Sequence, residues 1–199
     1  YSAEGQLVQV GWLDTKEKSV VRGDTGVARI RWFYGVGTEA REIGTFGPDD
    51  EPAYARDTGY AKEIRDLDAE GRVMAVQYTD HARDPMMVPS LGYAQVQKGY
   101  DAAGRMVRER FLDNLSRPVI AAGKGYAGWK HEFDGQGRLH REIFFNDEDG
   151  RGTTLMGYAE RKIGYDGESA RIATETYLGP SNRPAFHRDG YAELQRSYD

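Results

Sequence analysis

The chain has 199 residues, 39% hydrophobic, 12% aromatic and 30% charged, with a net charge of −5 and no cysteine. That aromatic content excludes a disordered acidic segment, the interspersed charges leave no basic stripe for nucleic acid, and the missing thiols exclude disulfides and thiolate metal sites. No apolar run approaches the ~18 residues of a membrane helix and no charged-then-apolar leader opens the chain, so no membrane insertion is expected of this segment.

Gly26-Val27-Ala28 begins a series continued by Gly-Tyr-Ala at Gly59, Gly92, Gly125, Gly157 and Gly190, in steps of 33, 33, 33, 32 and 33 residues. A second marker keeps the same beat at Tyr1, Tyr34, Leu67, Tyr100, Phe133, Tyr165 and Tyr198. Self-similarity at such a period marks a tandem array. Its units are a partial 1–25, then 26–58, 59–91, 92–124, 125–156 and 157–189, and a partial 190–199, read as one array. The chain lacks an initiator Met and starts and stops at the same point of the repeat, which is the expectation for about six periods of something longer.

Each unit opens with an outgoing strand, at 27–34, 60–67, 93–100, 126–133 and 158–165, because apolar residues alternate there, as in Ala28, Ile30, Trp32 and Tyr34. A turn follows in Asp68-Ala69-Glu70-Gly71-Arg72, Asp101-Ala102-Ala103-Gly104-Arg105 and Asp134-Gly135-Gln136-Gly137-Arg138, with Asp accepting backbone amides and Gly supplying a positive φ. Two copies, from Tyr34 to Phe46 and from Tyr165 to Tyr177, read as one residue longer at this turn. The return strand, at 7–14, 73–80, 106–113 and 139–146, carries Trp12, Phe46, Tyr78, Phe111, Phe144 and Tyr177. Counting back from the turn sets Lys130 against Glu142, Lys162 against Glu175 and Ile64 against Val76.

A Pro-led tail closes each unit, as in Glu51-Pro52-Ala53-Tyr54 and Asp84-Pro85-Met86-Met87-Val88, suited to a lid or short edge strand. The fold class expected is all-β: a tandem β-hairpin repeat array of about six 33-residue units, elongated or spiralling as an antiparallel sheet or solenoid, with essentially no α-helix. One unit buries too little to fold alone, so neighbours must share faces. The Gly-Tyr-Ala tyrosines then form one ladder and the return-strand rings another.

Tyr100-Asp101-Ala102-Ala103-Gly104-Arg105 resembles the core of the YD repeats of bacterial RHS proteins, and the hairpins are more distantly similar to MORN-type and choline- or glucan-binding repeats. The resemblance covers the hairpin of every unit. It implies a bacterial, secreted, periplasmic or cell-surface repeat region used for encasing, display or binding, and it carries over no catalytic residue.

His81, His131, His140 and His187 show no metal-ligand spacing and read as structural or surface residues, so no metal and no cofactor are expected. Asn146-Asp147-Glu148-Asp149-Gly150 reads as a solvated acidic turn rather than a calcium loop, and Gly35-Val36-Gly37 as a turn variant rather than a phosphate cradle. Asp68, Asp101, Asp134 and Asp166 read as turn residues, and Glu109, Glu142 and Glu175 as structural ion pairs with lysines. The off-pattern stretches 35–47 and 146–156 are where a catalytic pocket would break the repeat.

The ligand-binding candidates are the rings Trp12, Phe46, Tyr78, Phe111, Phe144 and Tyr177, a stripe for sugar or peptide if exposed and core if covered. The function expected is a non-enzymatic structural or interaction module of a larger exported bacterial protein, presenting or docking a protein partner, with end-to-end self-association open to it through its strand edges. The alternative is a glycan-binding module using the ring stripe.

Overall fold

In a computed structural model, which describes residues 1–35, 37, 39–147 and 150–199, the Asp-x-x-Gly-Arg segments close hairpins for the reason their sequence suggests. Asp101 Oδ1 accepts the amides of Ala103 and Arg105, each at 2.9 Å, and Gly104 adopts a φ of 79°. Asp134 holds Gln136 and Arg138 in the same way, with Gly137 also at 79°. Only glycine enters that region without steric cost.

Twelve strands and no helix are present among the described residues: β1 (Gln9–Gly11), β2 (Arg29–Tyr34), β3 (Ala40–Phe46), β4 (Lys62–Leu67), β5 (Val73–Thr79), β6 (Gln95–Tyr100), β7 (Met106–Leu112), β8 (Gly128–Phe133), β9 (Leu139–Phe145), β10 (Glu160–Tyr165), β11 (Ile172–Leu178) and β12 (Glu193–Gln195). The expected all-β hairpin architecture is present, with strand order following chain order in an antiparallel sheet. The chain divides into two compact units, Tyr1–Gln97 with Asp113–Ser116, and Lys98–Leu112 with Arg117–Asp199. The first holds β1 to β5 and the start of β6; the second holds the end of β6 and β7 to β12.

The cross-strand register differs by one residue from a count made at the turn. Glu142 lies opposite His131 and Lys130 opposite Ile143; Glu175 lies opposite Ile163, and Val76 opposite Arg65. The cause is a β-bulge just above the turn, between Glu132 and Phe133, Gly164 and Tyr165, and Asp66 and Leu67. Two return-strand residues there oppose one outgoing residue, so every pair beyond it shifts to the other face. His140 is such an extra residue, since Phe133 pairs with Leu139 and Glu132 with Arg141.

Among the described residues, a second turn of the same geometry, which the sequence does not advertise, follows several of the return strands. Asp14 accepts the amide of Glu17, Asp80 that of Arg83, Asp113 that of Ser116 and Gly179 that of Asn182. The fourth residue of each takes a left-handed φ without being glycine: Glu17 at 62°, Arg83 at 73°, Ser116 at 60°, Asn182 at 63°. The tail then turns back, so that Pro52, Pro85, Pro118 and Pro184 each bridge the strand just finished, at Phe46, Thr79, Leu112 and Leu178.

Gly-Tyr-Ala is where neighbouring hairpins join. Its glycine has a φ of 79° at Gly59, 81° at Gly125 and 97° at Gly157. Its alanine bonds on both sides: Ala61 donates to Thr79 O and accepts from Thr45 N, Ala127 donates to Phe145 O and accepts from Phe111 N, and Ala159 donates to Leu178 O and accepts from Phe144 N. The methyl is buried in each of these copies. Backbones approach there from both edges, which leaves room for a methyl and little more.

Candidate interaction surfaces

Strand pleating divides each unit's side chains between two faces. One, the ring face, carries Tyr78 in the first unit and Phe111, Phe144 and Tyr177 in the second. The tails lie against it: the Lys124 ammonium sits 5.2 Å from the Phe111 ring centroid, and the Arg22 guanidinium 5.4 Å from that of Trp12.

Phe111 is 1% exposed; Phe144 and Tyr177 are also buried, while Tyr78 and Trp12 are half-buried. Phe46 does not belong to this row. Thr45 holds the ladder position, its amide bonded to Ala61 O at 3.0 Å, and the Phe46 ring lies on the reverse face with the Arg31 guanidinium 4.7 Å above it. The 34–46 copy therefore carries no added turn residue, because Tyr34 pairs with Ala40 just as Leu67 pairs with Val73; the extra residue exists only between Tyr165 and Ile172.

The two expected ladders interleave as one zipper. In the first unit Tyr78 stands between Tyr60 at 4.6 Å and Tyr93 at 6.1 Å. In the second, Phe111, Tyr126, Phe144, Tyr158, Tyr177 and Tyr191 follow one another with centroids 4.8 to 6.2 Å apart. These tilted and edge-on contacts contribute roughly 0.5–1.5 kcal/mol per pair beyond their buried area. Burial raises the phenol pKa values of Tyr78 and Tyr177 well above the ordinary range.

Beside the second unit's rings runs a chain of charges. Glu142 accepts from His131 Nε2 at 3.0 Å and from Arg161 Nη1 at 3.0 Å; Glu175 takes Arg161 at 2.6 Å, Arg196 at 2.8 Å and the Tyr177 hydroxyl at 2.9 Å. Glu109 accepts the Trp129 indole N–H at 3.0 Å. These are structural pairs with arginine, histidine and indole partners, not the lysines the uncorrected register suggested. Desolvation pushes the Glu142 carboxyl up, but hydrogen bonds from His131 and Arg161 outweigh it and the net pKa lies below the usual carboxylate value. Glu175 follows the same pattern, with burial opposed by Arg196, Arg161 and Tyr177.

The turn arginines couple repeats. Arg105 holds Asp101 at 2.8 Å, stacks 4.1 Å over Phe133 and donates to Gly137 O; Arg138 holds Asp134 at 2.7 Å, stacks 4.3 Å over Tyr165 and donates to Gly167 O. Asp101 and Asp134 are turn residues as expected. Among the described residues no three His, Asp or Glu side chains converge as a metal site. The acidic turn at 146–150, the Gly35-Val36-Gly37 variant and the two off-pattern stretches fall partly outside the described residues.

A different row is solvent-facing. Val21, Tyr54 and Met87 in the first unit, and Ile120 and Phe186 in the second, are 36% to 72% exposed. Each stands two residues beyond the position that bridges back to the strand, which is Ser19, Pro52, Pro85, Pro118 or Pro184. The tails' proline spacing carried this signal, and reading the tail only as a lid passed over it. No family model and no curated protein matches the chain.

Proposed function

We propose that the chain is a non-enzymatic interaction module that docks a protein partner through exposed tail side chains, Val21, Tyr54 and Met87 forming the surface of one unit, and Ile120 and Phe186 that of the other. The observation that carries this reading is an exposed apolar side chain at the same position in five tails, the tail bridged at Arg151 having Thr153 there instead. Arg22 and Asp24, Arg56 and Asp57, and Arg188 and Asp189 flank the row as exposed charges of both signs. An apolar strip with a polar, mixed-charge rim has the composition of a protein–protein interface.

A glycan platform needs planar rings, and only Tyr54 and Phe186 of the five supply them, while Phe111, Phe144 and Tyr177 are covered. The ring-face carboxylates are engaged in ion pairs, which supports a structural role over acid–base chemistry. The likeness of the hairpins to YD repeats is what supports our reading of this module as part of a larger exported bacterial protein.

Photo-crosslinking side chains installed at Tyr54 and Met87, with Gln97 on the reverse face as control, test the proposal in cells that make the protein. The account expects one discrete protein adduct from the first two and none from Gln97. Equal labelling at all three, or glycan-array binding that Tyr54→Ala and Phe186→Ala abolish, would defeat it.

A further inference from the structure

The reverse face gathers cations, and several of these groups hold a carboxylate between them. Asp50 binds both Arg29 and Arg31, and Glu42 binds both Lys62 and Arg83. In the second unit Lys162 stands directly opposite Arg141. Glu160, two residues before Lys162 and 0% exposed, accepts Arg141 Nε at 2.7 Å and Nη2 at 3.1 Å, with Arg151 at 2.6 Å and Lys162 at 3.8 Å. Like charges directly opposite one another repel, and the carboxylate removes that cost.

One repeat earlier Lys130 stands directly opposite Arg108, and the residue in the place of Glu160 is Gly128. The strand position that supplies the Glu160 carboxylate therefore supplies none here. Beside this pair lies a cavity of about 310 Å³ whose lining includes Val107, Arg108, Ala127, Gly128, Lys130, Phe145 and Asp147. Lys130 also pairs with Glu132 at 2.8 Å, and Arg110 and Asp147 have partners of their own. Arg108 makes no ion pair among the described residues. A Cβ on Gly128 would come within 2.6 Å of the Glu109 carbonyl oxygen, so a side chain at this position would require β7 to shift.

We infer that this cavity binds a small organic carboxylate, whose carboxyl group takes between Arg108 and Lys130 the position that Glu160 takes between Arg141 and Lys162. Val107, Ala127 and Phe145 receive its apolar part. The volume stands at the lower end of small-molecule sites, roughly 300–1,000 Å³. The inference is independent of the docking row, which lies on the tails.

Titrating the ¹⁵N-labelled chain with benzoate, acetate, inorganic phosphate and chloride at matched ionic strength tests it, read at the Ala127 and Gly128 amides. The account expects saturable shifts with benzoate, weakened at least tenfold by Arg108→Gln and by Lys130→Gln and unchanged by Lys162→Gln. Shifts that do not saturate, that chloride reproduces, that phosphate produces at lower concentration than either acid, or that survive Arg108→Gln would each overturn it.

Discussion

The two compact units share one hairpin backbone and fill the same ring-face position in opposite ways. Two residues before the ladder residue of the return strand, the first unit has Ile43 and Val76, with Val96 paired to Val76; the second has Glu109, Glu142 and Glu175, with Arg161 between the last two. Glu63 is the first unit's exception, held by Arg65 at 2.6 Å and by the Tyr60 hydroxyl at 3.1 Å. The repeat therefore specifies the turns, the alanine junction and the ring zipper, while this position accepts an apolar pair or a paired charge. An apolar pair stabilises by burial at any pH, whereas a charge is stabilising only while its partners match it.

The largest contrast comes from breaking the charged version. Glu175→Ala leaves Arg161, Arg196 and the Tyr177 hydroxyl without their shared acceptor, and removing one member of a largely buried pair costs about 3–5 kcal/mol. Val76→Ala in the first unit removes apolar burial alone and costs about 2 kcal/mol. Urea unfolding of the two variants measures both.

Acid sharpens the contrast further. Glu142 and Glu175 have folded pKa values below the ordinary carboxylate value, so their stabilisation is fully present above the unfolded pKa near 4 and is lost as pH falls through the folded values. Unfolding followed from pH 7 to pH 2 should show a loss that Glu142→Gln and Glu175→Gln reduce and that Val76→Ala leaves in place. The smallest effect separates the second turns. Glu17→Gly relieves a left-handed backbone and gains up to about 1 kcal/mol, whereas Asn182→Gly gains less, because asparagine tolerates that region and Asn182 Oδ1 accepts Arg151 at 3.1 Å. Thermal melts of the two variants give the order.

Where chain length and backbone chemistry decide, the sequence was legible. Asp68, Asp101 and Asp134 with their glycines predicted the first turn, and the Gly-Tyr-Ala beat located the junctions. The bulge was not legible, because the extra residue is His140 in one copy, Met74 or Ala173 in others, and no residue type marks it. Phe46 misled because an aromatic stands one place after the ladder position that Thr45 fills. The second turn was hidden because its left-handed residue is Glu, Arg, Ser or Asn in place of glycine. The exposed tail row was open to detection from its spacing behind proline, and the Gly128 cavity only from comparison with Glu160.

Amide hydrogen exchange tests the central claim, that one alanine per repeat joins each hairpin to the next. The amides of Tyr78, Phe111, Phe144 and Tyr177 donate to the carbonyls of Ala94, Ala127, Ala159 and Ala192. They should exchange orders of magnitude more slowly than those of exposed Met87 and Ile120. Exchange of those four amides at the rate of Met87 and Ile120 would contradict the shared-junction array.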